Sequence, residues 1–387
     1  MPMTPRERVL AAIGHEEPDR VPIVLGASNA TGMKVRPYRE LASLLGVEGD
    51  ERYVYDWPEL GTVLPDEAVL ERLHADVRGV LDAFPAATRE RNRARPPHSP
   101  FIDDWGSGQV EVEDGTWFPG VHPMAGTLTL EAIERYPWPD MDDPSRVAHV
   151  RAEVARLAAD GRYAIMGTPW LLFPFERAIA MQGLEDCVVG MALDPEVSIA
   201  LLARIAGLCK ALMGHFLDAA GDELDIVKIG DDLGSQQGLL ISPAMYRRIL
   251  KPIHADYIAF VRSRTKAKVF FHTDGDVSGL LDDLVEIGVD ILNPIQTTAG
   301  RMADLGGLKR RYGDALAFCG AIDTQHILPR GTPDEVRAEV RRVIEALGAG
   351  GGYLLAAVHT IMNEVPAENV LAMVDAAVEY GRPGARP

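Results

Sequence analysis

Cysteine is scarce in this chain, which has three among its 387 residues: Cys187, Cys209 and Cys319. So small and odd a number excludes the disulfide framework that small secreted domains use. Cys187 and Cys209 lie in apolar stretches with helical periodicity, where we interpret them as inert core residues. Cys319 lies within a strand-like run and stays open as a candidate ligand.

Basic residues are also few, with 39 Lys and Arg against 57 Asp and Glu and a formal charge of -18. This charge repels nucleic acid and anionic lipid, so we expect no nucleic acid and no membrane as partners. The opening MPMTPRERVLAAIGHEEP lacks the apolar segment of a signal peptide. No apolar run approaches the ~20 residues that a membrane span needs, so we expect a cytoplasmic protein.

An apolar strand-like run followed by a helical pattern recurs along the chain. The eight runs are 21–26, 52–57, 163–168, 225–230, 268–272, 290–295, 316–321 and 353–359. Helices between them open with recognisable caps, such as Thr332, Pro333 and Glu335 in capping-box order. Strands that alternate with helices through short connections predict a parallel sheet. Eight short strands favour closure into a (β/α)₈ barrel, the TIM-type fold, over an open doubly wound sheet.

The first ~160 residues are less regular than the rest. Thr4, Pro5 and Glu7 cap an opening helix, and the stretch SPFIDDWGSGQVEVEDGTWFPG is typical of a loop or small hairpin. We therefore expect one barrel domain over residues 1–387, in which residues 85–160 form a loop or hairpin elaboration over the barrel mouth.

Polar residues cluster where the predicted strands end, and in a barrel the carboxyl ends of the strands carry the active site. They are Asp231, Asp232, His272, Asp274, Asn293, Gln296, Cys319, Asp323 and His359. Because side chains alternate along a strand, His272 and Asp274 project from the same face. With His359 they form a set of two histidines and one carboxylate, which suits a divalent metal in an open site. Cys319 is the candidate for a fourth ligand.

These candidate residues also have simpler structural interpretations. A histidine at a strand end is often a core residue or a substrate contact, and Asp274 could shape a turn. Asp231 and Asp232 could cap the next element. A catalytic role for one of them remains an alternative, because two carboxylates held together in a cleft change each other's proton affinity.

Long segments of the chain resemble the uroporphyrinogen decarboxylase superfamily. They include TPRERVLAAIGHEEPDRVPI, IGDDLGSQQGLLISPAMYRRILKP, KVFFHTDGDVSGLLDDLVEIGVDILNPIQ and GAIDTQHILPRGTPDEVRAEV, and the likeness runs from about residue 4 to 382. The sequence is most similar to the branch of corrinoid-dependent methyltransferases and O-demethylase components. The resemblance implies a (β/α)₈ barrel with its site at the carboxyl end.

The methyltransferases of this superfamily bind zinc through a histidine and two cysteines. The matching positions in this chain are His272, Asp274 and His359, so both thiolates are replaced. Nitrogen and oxygen ligands make a harder site and a stronger Lewis acid, which puts thiol methylation in doubt. The decarboxylases carry RQAGR after the first strand, where this chain has GASNATGMKVRPYREL, so tetrapyrrole decarboxylation is not expected.

The first hypothesis is a metal-dependent methyltransferase-like enzyme for a small organic substrate. The metal is zinc, with Fe(II), Mn(II) and Co(II) as alternatives, and a corrinoid or folate carries the methyl group, with a corrinoid protein as a candidate partner. Asp232 or Asp231 moves a proton, while Trp170, Asn293 and Gln296 contact the substrate. A metal-dependent decarboxylase or other lyase is the second hypothesis, and a non-catalytic binding protein the third. The oligomeric state stays open, with a homodimer among the alternatives.

Overall fold

The computed structural model describes residues 2–49, 51–113, 116–169 and 173–385. Its main sheet contains seven parallel strands, each hydrogen-bonded to the next. In spatial order they are Tyr353–Ala357, Ala317–Ile322, Ile291–Ile295, Lys268–His272, Ile226–Gly230, Ala164–Gly167 and Val77–Val80.

The segment around Ile23 occupies the eighth position and closes the sheet. Ile23 bridges Leu355 in parallel, and the Val24 N–H donates to the Leu355 carbonyl at 2.8 Å. On its other side, the Asp76 N–H donates to the Ile23 carbonyl at 2.9 Å. Both edges of the sheet therefore meet across this segment, which confirms the (β/α)₈ barrel.

One of the eight predicted strands is wrong. Residues 52–57 contribute only Arg52–Tyr53 to a small antiparallel sheet with Thr62–Leu64 and Met33–Lys34, and Tyr55 has a φ of 61° that ends the extended backbone. The barrel strand in that place is Val77–Val80. It was missed because Arg78 and Gly79 interrupt its apolar pattern; Arg78 is ion-paired with Glu67.

The barrel interior is a packed apolar layer. It contains Val24, Val77, Ala164, Met166, Ile226, Phe270, Ile291, Ala317, Cys319, Leu354 and Ala356. Val9 and Ile13 of the opening helix belong to the same cluster, so that helix closes the amino end of the barrel. The carboxyl end is left for a cavity.

The helices surround this barrel. The α-helices are Pro5–Ile13, Val35–Leu45, Glu67–Arg72, Ala86–Arg93, Leu130–Arg135, Val150–Asp160, Pro174–Gln182, Leu184–Leu193, Pro195–Ala220, Pro243–Met245, Lys251–Arg264, Leu281–Glu286, Leu305–Tyr312, Ile327–Arg330, Pro333–Leu347 and Ala367–Tyr380. The capping boxes predicted at Thr4 and Thr332 are both present.

The helix Pro195–Ala220 corrects the expectation that no apolar stretch is long enough to cross a membrane. Among the described residues one helical stretch has the necessary length and composition, and it is this helix with the 3-10 turn that follows it, Pro195–Glu223. Half of its most apolar window is buried inside the fold, where it contacts the helices Pro174–Gln182 and Lys251–Arg264. A core helix of a globular protein has the same properties.

Residues 85–160 contain a three-stranded antiparallel sheet of Phe101–Ile102, Gly108–Glu113 and Thr116–Val121. Arg177, which is 1% exposed, ties this sheet to the barrel because its guanidinium pairs with Asp103 at 2.5 Å. The elaboration is thereby joined to the helix Pro174–Gln182, which also contributes to the cavity described next.

Candidate functional site

The structure brings His272, Asp274 and His359 together at the carboxyl end of the barrel. His272 ends the strand Lys268–His272, and His359 follows the strand Tyr353–Ala357 by two residues. One Asp274 oxygen lies 4.0 Å from His272 Nε2 and 3.8 Å from His359 Nε2. The three potential ligand atoms all lie within 4.8 Å of one another, close to the spacing of ligands that share one ion.

Asn293 fixes the tautomer of His272. Its Oδ1 lies 2.7 Å from His272 Nδ1, while its Nδ2 donates to the Cys319 carbonyl at 3.4 Å. Because the amide is oriented by the second bond, Oδ1 accepts and His272 Nδ1 carries the hydrogen. Nε2 of His272 therefore presents a lone pair toward Asp274 and His359, which is how metal-binding histidines are held.

Asp274 has one carboxylate oxygen, Oδ1, that is buried without a hydrogen-bond partner among the described residues. The side chain as a whole keeps 33% of its surface accessible. Burial and the neighbouring Asp232 carboxylate raise the pKa of Asp274 to about 8, against the opposing effect of Lys228. A cation bound beside this carboxylate would stabilise its charged form.

Both imidazoles are neutral at physiological pH. Burial, with the charge of Lys228, lowers the pKa of His359 to about 4. The same two causes hold the pKa of His272 well below its ordinary value. Neutral imidazole is the form that ligates a metal, so neither histidine has to lose a proton first.

Sequence reasoning missed Lys228 and Glu176, which line the cavity with Asp232, His272 and His359. Burial lowers the pKa of Lys228, while burial and the two nearby aspartates hold the pKa of Glu176 well above its ordinary value. Lys228 could have been found, because a lysine inside the apolar strand IVKIG interrupts the pattern of a barrel strand, where charged residues are rare. The sequence around Glu176 gives no comparable indication, since an acidic residue in the first turn of a helix is common.

Asp232 lies between Glu176 and Asp274. Its N–H donates to Glu176 Oε1 at 2.8 Å, and its Oδ1 accepts the Asp274 N–H at 2.9 Å. Burial raises the pKa of Asp232, with Asp231 adding to the rise and Lys228 opposing it. The site therefore combines a pair of protonatable carboxyl groups with the candidate ligand set.

The structure does not bring Asp231 to the cavity. Its carboxylate is fully buried and accepts the N–H groups of Phe175 and Glu176 at 3.0 and 2.7 Å. Gln296 is also a supporting residue, since its Oε1 accepts the Gly275 N–H at 2.7 Å. Asn293 likewise positions another residue of the site, because its side chain is hydrogen-bonded to His272.

Cys319 is fully buried in the apolar barrel interior, and the potential ligand cluster of the described residues does not include it. Burial raises the pKa of its thiol to about 12, which disfavours the thiolate that metals bind. The structure thus gives no support to Cys319 as a fourth ligand. Trp170 lies outside the described residues.

The cavity has a volume of about 150 Å³, below the ~300–1,000 Å³ of pockets for drug-sized ligands. Asn29, Tyr55 and Thr168 complete the polar part of its lining, and the lining includes one lysine and no arginine among the described residues. It suits a small polar molecule or the reacting end of a larger one.

Comparisons with known proteins agree on the family. A family model described as Uroporphyrinogen decarboxylase (URO-D) matches residues 107–380. A uroporphyrinogen decarboxylase of Alkalilimnicola ehrlichii is 24% identical over 390 residues, which cover 97% of this chain and 94% of that protein. One from Coxiella burnetii is 26% identical over 228 residues, covering 57% of this chain and 58% of that protein. The matched stretch is thus less than two thirds of the Coxiella relative.

A solved structure, described as a methyltransferase from Methanosarcina mazei, is also similar. It superimposes with a TM-score of 0.66 at 18% sequence identity, covering 98% of this chain and 99% of that chain. At this identity the likeness concerns the fold.

Proposed function

Because the chain belongs to the uroporphyrinogen decarboxylase family, we propose that it is a metal-dependent enzyme that moves a methyl group to or from a small polar substrate. The observation that carries the proposal is the orientation of His272, whose Nε2 lone pair faces Asp274 and His359. A zinc ion suits this donor set, and Fe(II), Mn(II) and Co(II) are the alternatives.

The residues present fit a divalent cation. Three ligands are available: two neutral imidazoles and a carboxylate that has a buried oxygen without a hydrogen-bond partner. The carboxylate also supplies one negative charge against the positive charge of the ion. A bound ion would supply Lewis acidity, which polarises a substrate oxygen or a water molecule. Because no thiolate is donated, we expect stronger polarisation than in a site with two cysteines.

Asp232 and Glu176 would hold and move the proton. Burial raises the pKa of both carboxyl groups, which favours their protonated forms and suits them to donate a proton to a leaving oxygen or nitrogen. Lys228 balances the charge that remains after the proton has moved. A corrinoid protein or a folate is the proposed methyl carrier.

A lyase, including a decarboxylase, is the second candidate, and Lys228 is the observation that favours it. An ammonium group that lines the cavity could bind a substrate carboxylate beside the candidate ligands. A whole tetrapyrrole is too large for a cavity of about 150 Å³, so the substrate would be a smaller acid.

A turnover assay distinguishes the two candidates. The zinc-loaded protein is offered a panel of small methyl ethers and methylamines, with cob(I)alamin, with tetrahydrofolate, or with neither acceptor, and a panel of small carboxylic acids. Methyl transfer that requires an acceptor and is lost in Asp232→Asn supports the first candidate. Release of CO₂ without an acceptor supports the second. Absence of both reactions contradicts the proposed enzyme.

A further inference from the structure

Asp231, which lies outside the cavity, is the centre of a buried polar network. Besides the N–H groups of Phe175 and Glu176, it contacts His254 Nε2 at 2.9 Å. His254 Nδ1 in turn lies 3.3 Å from the Tyr246 hydroxyl. Asp231 and Tyr246 are fully buried and His254 is 2% exposed, so the network is shielded from solvent.

The direction of the bond between His254 and Asp231 follows from its chemistry. A carboxylate accepts, so His254 Nε2 carries the hydrogen of this bond. The Asp231 carboxylate thus receives three hydrogen bonds, two of them from the first turn of the helix Pro174–Gln182. Its negative charge lies at the N-terminus of that helix, where the helix dipole stabilises it.

A π-helical turn, Tyr246–Leu250, aligns Tyr246 with His254. Eight residues of regular α-helix rotate by ~800°, which leaves two side chains ~80° apart on the helix surface. One extra residue in a π turn reduces the offset to ~20°, so that both side chains face the same neighbour. The irregular turn therefore serves the hydrogen bond between these two residues.

From Asp231 a chain of contacts leads to the candidate ligands. Asp231 fixes the backbone of Glu176, the Glu176 carboxylate accepts the Asp232 N–H, and the Asp232 carboxylate accepts the Asp274 N–H. We propose that His254, acting through Asp231, is a positioning residue that sets the Glu176 and Asp232 carboxyl groups and, through them, the ligand Asp274. This inference rests on the proposed metal-dependent function.

A role in stability alone explains the network poorly. A buried polar contact such as that of His254 with Asp231 contributes little net stability compared with apolar residues of similar volume. What it does provide is a fixed position for the first turn of a helix that contributes to the cavity. A change at His254 should therefore be detectable at the metal.

The test uses Co(II) as the probe, because its visible absorption reports ligand geometry and its titration gives a Kd. His254→Phe keeps an aromatic ring and removes the donor to Asp231, while His254→Gln can still donate. Tyr257→Phe is the matched control: it removes a buried hydroxyl from the same helix, where Tyr257 donates to the Cys209 carbonyl at 3.4 Å.

We expect His254→Phe to weaken Co(II) binding by about tenfold, the lower end of the effect of direct hydrogen-bond partners of metal ligands, and to change the visible spectrum. His254→Gln should recover part of the loss, and Tyr257→Phe should match the wild-type protein. If His254→Phe does not fold, Asp231→Asn replaces it, with the same direction expected.

Two results would overturn the inference, and they are distinguishable. A folded His254→Phe protein with the wild-type Kd and spectrum refutes the positioning role while leaving the metal site intact. A wild-type protein that binds no Co(II) refutes the proposed metal site, and the inference falls with it.

Discussion

Asn293 holds His272 by a 2.7 Å contact between its Oδ1 and the imidazole Nδ1. Both side chains are buried, at 1% and 7% exposed, and they come from adjacent parallel strands in which His272 is paired with Asn293. Sheet register therefore decides which imidazole nitrogen faces the cavity.

The first prediction concerns this contact. Asn293→Leu should weaken zinc binding by about 10- to 100-fold, because the imidazole loses the acceptor that fixes its tautomer. Asn293→Asp keeps an acceptor and should lose less. Zinc titration against a competing chelator measures both, and equal affinities in the two variants would argue against orientation of His272 by Asn293.

The second prediction concerns pH. Asp274 has a pKa of about 8 without metal and must be deprotonated to ligate, whereas His359, with a pKa of about 4, is already neutral. Metal binding should therefore release one proton below pH 8, and the apparent affinity should rise by about tenfold per pH unit from pH 6 to 8 and then level off. The slope should vanish in Asp274→Asn. A flat profile in the wild-type protein would contradict the raised pKa.

Much of this arrangement follows from sequence, and the reasons are local. The run of strand formers before His272 predicts the strand end that the structure has there, and caps such as Thr332 with Glu335 mark helix starts. What could not be predicted depends on long-range contacts. The strand Val77–Val80 is short and carries Arg78 and Gly79 between its valines, and the place of Glu176 depends on a hydrogen bond from its N–H to Asp231, 55 residues away in the chain.

The third prediction concerns the loop that contributes Asn29 and Ala30 to the cavity. A Cβ on Gly79 would lie 1.9 Å from the Ala27 carbonyl oxygen, so the loop can approach the strand only over glycine. Gly79→Ala should lower the free energy of unfolding by about 3 kcal/mol. Gly207→Ala is the control, since nothing lies within 4 Å of its added Cβ, and it should raise stability by up to about 1 kcal/mol. Urea unfolding measures both; equal stabilities would contradict the close approach.

The fourth prediction concerns the replaced thiolates. Asp274→Cys combined with His359→Cys should shift metal preference toward zinc and weaken the native reaction, because restored negative charge lowers the Lewis acidity of the ion. Competition among Zn(II), Fe(II), Mn(II) and Co(II), with activity followed for each, provides the measurement. An unchanged preference and rate would show that the ligand exchange is incidental.

The measurement that most directly tests the central claim is the metal content of protein purified without added metal, compared with His272→Ala and His359→Ala. We predict about one divalent ion per wild-type chain and almost none in either variant, while circular dichroism shows an intact fold, because both side chains line the cavity and lie outside the apolar layers. Full metal occupancy in both single variants, or a wild-type chain that neither contains nor takes up a divalent ion, would contradict the account.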